Sequence, residues 1–290
     1  MTDNEKKVII RLIRDDNIEF VVGSGGDFKI PSDGLDGFGS LDNDITMNSN
    51  AFGDGSQKAG ERLDHKDRTV KAIVRNKKNN VALRQQIINF FKFKHNFKLY
   101  VTYMGITRWC EGSLHKLQVS EGNIYEPVSF QFTILSESPY YKSVDNFGKD
   151  IAEIIPMIGF PYINTKKGMP TGIYNYEKEV SVYNDGDVDT FCKAVFTANG
   201  DVVNPKLLVN GKFVRIKTNM IKDDVVVMDF TTPKPKITKN GINIMGATDR
   251  TSDLSEMQLN VGDNVIGYSA DDGDSSMEVS IFYNKLYALI

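Results

Sequence analysis

Between Tyr183 and Gly267 the chain is cut by five clusters able to reverse its direction. They are Asn184-Asp185-Gly186-Asp187, Asn204-Pro205, Val209-Asn210-Gly211, Asn240-Gly241-Ile242-Asn243 and Leu259-Asn260-Val261-Gly262-Asp263-Asn264. Gly and Asn tolerate positive φ and Pro presets it near −65°, so each cluster can turn the backbone. Between and after them lie short apolar runs, Lys206–Val209, Phe213–Thr218, Val225–Phe230 and Met277–Tyr283. Strands separated by turns at such spacings read as an antiparallel sandwich or jelly roll.

The N-terminal half reads differently. Lys7–Arg14 and Ile18–Val22 flank Asp15-Asp16-Asn17 as a hairpin. Gly23-Ser24-Gly25-Gly26 lacks phosphate-loop spacing and is read as a flexible hairpin end. The long polar tract Ser32–Gly60 is punctuated by Leu35, Phe38, Leu41, Ile45, Met47 and Phe52, so it has something to bury. Arg62–Arg75 returns as an extended stretch with Thr69–Val74 as its strand core. Val81–Lys94 is the predicted helix, with Leu83, Ile87, Phe90 and Phe91 on one face and Asn79 or Asn80 at its cap. Phe93 lies off that face, where it suits a contact with another chain.

Phe97–Met104 and Thr107–Leu114 flank Gly105 as a second hairpin, which carries the single tryptophan, Trp109. Leu117–Ser120 and Pro127–Leu135 follow around a turn at Glu121-Gly122-Asn123. In the second of these, Val128, Phe130, Phe132 and Ile134 alternate with polar residues, the mark of a strand with one buried face. Lys142–Tyr176 shows no steady period and holds Pro156, Pro161 and Pro170, so it reads as a connection. Lys178–Tyr183 opens the second domain and Phe282–Ile290 closes it.

Candidate chemistry is sparse. A net charge of −3 makes no electrostatic case for nucleic acid or an anionic membrane. The brief basic run Arg75-Asn76-Lys77-Lys78 reads as a solvated turn. No run reaches the ~18–20 apolar residues of a membrane span. Cys110 and Cys192 fall in different candidate domains and read as buried free thiols. His65, His95 and His115 have no metal-ligand spacing. In Asp185-Gly186-Asp187-Val188-Asp189, Thr190 and Phe196 stand where a calcium loop needs Gly and Glu. Asp271-Asp272-Gly273-Asp274 reads as a solvated hairpin tip. With no nucleophile elbow either, no catalytic, cofactor or metal residues are assigned.

The order of turns is similar to that of phage distal tail proteins. The C-terminal domain of that family repeats an Asn-x-Gly-Asp turn, an Asn-Pro step and a late Leu-x-x-Gly-x-Asn, here Asn184–Asp187, Asn204-Pro205 and Leu259–Asn264. The Gly53-Asp54-Gly55 turn with its basic extended return, and the exit Ser136-Glu137-Ser138-Pro139-Tyr140-Tyr141, also resemble the family's ring domain.

The resemblance implies a mainly β chain with one helix, in two domains. Residues 1–141 would form an α+β ring domain with an arm at about 32–66. Residues 142–176 would link it to a galectin-like antiparallel β-sandwich over 177–290. It further implies a non-enzymatic, hexameric (or stacked dodecameric) hub ring in the tail tip of a virion. Such a ring joins the tail tube protein to baseplate hub and tail-associated proteins and leaves a channel for DNA. A head-to-tail ring needs two different faces per subunit. One is expected on Leu35, Phe38, Leu41, Ile45, Met47 and Phe52. The alternatives are a carbohydrate-binding module contacting the host surface, a cell-wall hydrolase, or the same hub in a contractile or injection particle.

Overall fold

Period-two burial marks the central strands, as in Lys66–Val74, Thr190–Ala198 and Met277–Tyr283. The computed structural model describes residues 7–50, 52–75, 80–121, 126–144, 147–156, 172–176, 179–232 and 234–290. They divide into two compact units, Met1–Val144 with Tyr287–Ile290, and Asp145–Leu286.

The first unit opens with the hairpin β1 (Ile9–Arg14) and β2 (Glu19–Gly23), followed by two short strands, β3 (Phe28–Lys29) and β4 (Leu35–Asp36). Then come β5 (Asn43–Ser49), β6 (Ser56–Leu63) and β7 (Lys66–Val74). After α1 (Asn80–Phe90) lie β8 (Asn96–Tyr103), β9 (Ile106–Val119), β10 (Ser129–Ser136) and β11 (Tyr141–Ser143). The main sheet is ordered β2-β1-β8-β9-β10-β7-β3, with each neighbouring pair antiparallel. Phe20 on β2 and Phe28 on β3 come from its two ends yet stack at 4.9 Å, so the sheet curls on itself.

The expected helical face forms: Leu83, Ile87, Phe90 and Phe91 are all buried. The helix itself is shorter than the sequence suggests, ending at Phe90 rather than Lys94. The buried Arg14 guanidinium donates to the Asn89 and Phe90 carbonyls (3.0 and 2.7 Å) while holding Asp16, so it satisfies acceptors that a helix C-terminus leaves open. Asn80 is the first helical residue, and its amide donates across to the Glu126 carbonyl (3.0 Å) instead of capping. The other cap candidate, Asn79, lies outside the described residues, as does most of the expected turn Glu121–Asn123.

Thr107–Leu114 and Leu117–Ser120, expected as two strands, form the single strand β9. A bulge opposite Thr133 and Ile134 leaves His115 as the extra residue, which lets β9 pair with β8 along its first half and β10 along its second.

The second unit starts with β12 (Phe147–Pro156) and β13 (Gly172–Tyr176), both inside the stretch read as a connection; residues 157–171 lie outside the described part. Next come β14 (Glu179–Asn184), β15 (Thr190–Ala198), β16 (Val202–Val203), β17 (Lys206–Val209) and β18 (Lys212–Arg215). They are followed by β19 (Asn219–Met220), β20 (Val225–Asp229), β21 (Lys236–Lys239) and β22 (Ile242–Asn243). The last three are β23 (Gln258–Leu259), β24 (Gly262–Ser269) and β25 (Met277–Tyr283).

One sheet runs β13-β12-β25-β15-β20-β21-β22 and the other β14-β24-β17-β18. Their inner faces share one buried core, with Phe196, Met228 and Ile281 from the first and Val182, Leu207 and Ile266 from the second. Two sheets closing on a common core make a sandwich. Asn210-Gly211 and Asn240-Gly241 each have φ of 49° and 80°, the two positive values a tight I′ hairpin requires.

Candidate functional site

The long tract after β3 is the feature that departs most from a closed fold. Its first part belongs to the subunit. Leu35 pairs with Val70 through β4, and Phe38 is buried in the core beside Tyr141, whose hydroxyl donates to the Phe38 carbonyl (3.4 Å). Gly37 makes this approach possible: with φ at 78°, a Cβ there would sit 2.1 Å from the Asp67 carbonyl oxygen. Tyr141 itself is fully buried under the Arg68 guanidinium (4.3 Å from the ring centroid), and burial pushes its hydroxyl up to about 12.

Beyond Asp42 the chain leaves the core. β5 and β6 form a two-stranded hairpin of their own, in register from Asn43↔Leu63 to Ser49↔Ser56, with a bulge at Ala59. At its root the Lys66 ammonium, largely buried, binds Asp42 (2.8 Å) and Ser40 (3.2 Å). Along its length Lys58–Glu61 (2.5 Å) and Arg62–Asp44 (3.5 Å) are exposed ion pairs, worth little in water. Every residue of β5 and all but Leu63 of β6 are exposed. A lone hairpin is marginally stable, and both its edges offer unpaired backbone groups.

The six residues expected on the assembly surface therefore separate. Phe38 lies in the subunit's own core and Leu35 packs half-buried against it, where the close approach at Gly37 folds the chain inward. Leu41 is half-buried near the root, while Ile45 (49 %), Met47 (53 %) and Phe52 (102 %) stand exposed on the arm. A second exposed apolar projection escaped the sequence reading, the β8–β9 tip with Tyr103, Met104 and Ile106. Its signal is Met104 before Gly105, at φ 50°, where Asn is the customary residue.

In the second unit the motif asparagines converge on one polar junction. Asn184, fully buried, donates to the Val188 and Leu259 carbonyls (3.2 Å each) and accepts from the Gly186 N–H (3.0 Å). Asn264, 1 % exposed, donates to the Asn260 and Gly262 carbonyls and accepts from the Asn260 N–H and the Asn210 amide. Asn264→Ala leaves several of these groups buried without partners and is expected to cost about 2–4 kcal/mol. Urea melting of the whole chain measures it; a loss under about 1 kcal/mol would mean water replaces the network.

The candidate chemistry disperses into such structural roles. Asp185 pairs with Lys285, and Asp189 accepts the Val261 N–H (2.9 Å). Asp271 binds Asn204 (2.7 Å) and Arg215, and its loop is bonded to β16 rather than free in solvent. His65, His95 and His115 lie beside Asp64, Asp15 and Asp67 respectively. Cys110 and Cys192 are buried free thiols, and burial pushes Cys192 up to about 12. Among the described residues no three His, Cys, Asp or Glu side chains converge as metal ligands.

Residues 185–287 match the family of the siphovirus-type tail component, C-terminal domain. Several solved structures share the fold. The SPP1 Dit (gp 19.1) protein, described as a paradigm of hub adsorption apparatus in Gram-positive-infecting phages, matches with a TM-score of 0.66 at 14 % identity, over 96 % of this chain and 98 % of its own. A chain of the phage P2 baseplate, activated with Ca, matches at 0.51 and 12 % identity, over 98 % and 99 % of the two chains. The corresponding Sr form gives 0.53 at 11 % identity over the same shares. No curated protein sequence matches. Residues 185–287 are thus similar to the C-terminal domain of siphovirus-type tail components, and nearly the full length of the chain has the fold of the SPP1 Dit protein.

Proposed function

We propose that this chain is a structural hub subunit of a phage tail tip, six copies of which close into a ring between the tail tube and the baseplate, leaving a channel for DNA. The observation that carries this reading is the β5–β6 arm. It is anchored in the core at Phe38 and Lys66, then exposes Ile45, Met47 and Phe52 to solvent. A contact from one copy's arm to a different face of the next is heterologous, and repeated by rotation it closes a ring. The role is architectural, and its partners are other tail proteins of the virion.

The sugar-binding alternative has less support. Among the described residues of the second unit, Tyr183 is the one strongly exposed aromatic, whereas sugar sites favour broad aromatic platforms.

Native mass spectrometry of the purified chain tests the proposal. Six copies are expected, or twelve as two stacked rings. A chain that stays monomeric at high concentration, alone and with a tail-tube partner, would overturn it.

A further inference from the structure

Four strands of the first unit carry one row of paired residues on the outward side of the sheet. Arg11 lies opposite Tyr100, Tyr100 opposite Trp109, and Trp109 opposite Lys142. Their strand neighbours Leu12 and Leu99 point inward and are fully buried, which fixes the row's outward direction. The two rings stack with centroids 5.9 Å apart. The Arg11 guanidinium is 4.7 Å from the Tyr100 ring centroid, and the ammoniums of Lys98 and Lys142 are 5.5 and 4.8 Å from that of Trp109. The Trp109 Nε1–H donates to the Ser143 carbonyl (2.7 Å), which holds the ring in place. Arg11 and Lys98 are exposed and both rings are part-exposed.

A fixed aromatic pair rimmed by cations selects an aromatic side chain with a carboxylate close by. Rings gain from stacking, and the cations gain from an acid that water would otherwise solvate. The chain presents that combination at the tip of its own arm. Phe52 is fully exposed, Asp54 follows two residues on, and the turn holds no base between Asn50 and Ser56. The arm's seven-residue strand reaches about 23 Å from its root. Its exposed side chains do not rest on their own subunit. The arm tip of another copy therefore offers an occupant of the right chemistry.

We propose that the arm tip of one copy docks on the Arg11–Tyr100–Trp109–Lys142 row of the next. Phe52 lies against the stacked rings, and the Asp54 carboxylate lies between Arg11 and Lys98. This rests on the reading of the arm as the assembly element and adds the surface that receives it. Aromatic and Arg side chains in such a patch are the usual carriers of interface energy.

Trp109 is the only tryptophan, so its emission reports on this row alone. Fluorescence and sedimentation of the full chain are measured together across concentration. In the wild type the Trp109 emission is expected to shift in step with assembly. Phe52→Ala and the double change Arg11→Glu with Lys98→Glu should each weaken assembly at least tenfold and hold the emission at its monomer value. Assembly with unchanged Trp109 emission, or undiminished by both variants, overturns the docking assignment. If replacing the whole arm dissociates the ring while these variants do not, the arm reading stands and only the receiving surface is wrong. A wild-type chain that never assembles, with constant emission, sinks both.

Discussion

Joining Asn43 to Leu63 through a short Gly-Ser linker is expected to convert the proposed ring into folded monomers. These two residues are register partners at the base of the hairpin, so a short linker spans them without strain. The replacement removes Ile45, Met47 and Phe52, each able to contribute roughly 1.5–3 kcal/mol of burial on a neighbour before ordering costs. Losing even about 4 kcal/mol per contact weakens each roughly a thousandfold. A wider excision beginning at Gly34 would also remove Leu35 and Phe38 and unseat the core, confusing misfolding with disassembly. Sedimentation gives the size and thermal melting the fold. The removed strand residues are exposed, so the melting of the first unit should hold. A variant that remains a hexamer moves the interface elsewhere, and one that unfolds makes the hairpin part of the fold.

Legibility in the sequence followed how locally each feature is determined. Lys206–Val209 and Met277–Tyr283 coincide with β17 and β25, because a short apolar run between Gly and Asn turns has few other conformations open to it. β15 gives no clear signal in the sequence although it is central. Of its five inward residues only Phe196 is large, Thr190, Cys192, Ala194 and Ala198 being small, and Phe191 and Val195 on the other side are apolar, so polarity hardly alternates. β12 and β13 carry no period of their own and are extended through pairing with strands distant in sequence, β12 with β25 above all. The arm was visible as a tract with too many apolar residues for a plain loop. Nothing in its spacing distinguishes Phe38 from Phe52. One is buried because Gly37 brings the chain against Asp67 and the other projects because the hairpin leaves the sheet. The receiving row was legible only as an isolated Trp109, since Tyr100, Arg11 and Lys142 join it through strand pairing.

Phe91→Ala is expected to produce the largest loss of stability of any single change in the first unit. Phe91 lies just past the last turn of α1, 3 % exposed, with its backbone N–H still bonded to the Ile87 carbonyl (3.0 Å). Its ring meets five others: Phe132 at 4.6 Å, Phe90 at 5.0 Å, Phe20 at 5.2 Å, Phe130 at 6.1 Å and Phe97 at 6.3 Å. These come from the helix, β2, β8 and β10, so one side chain ties the helix to the β2 end of the sheet and to two of its interior strands. Truncation opens a cavity that rings fixed on four elements cannot collapse to fill, at a cost of about 3–5 kcal/mol. Domains of this kind are stable by only about 5–15 kcal/mol, so the unit approaches the edge of folding. Phe93→Ala, two residues along at an exposed position, should stay within about 0.5 kcal/mol and serves as the control. Denaturant titration followed by Trp109 emission reads the first unit specifically, because the only tryptophan lies there. A midpoint shift for Phe91→Ala no larger than that of Phe93→Ala would mean that the six rings are not packed around the helix end.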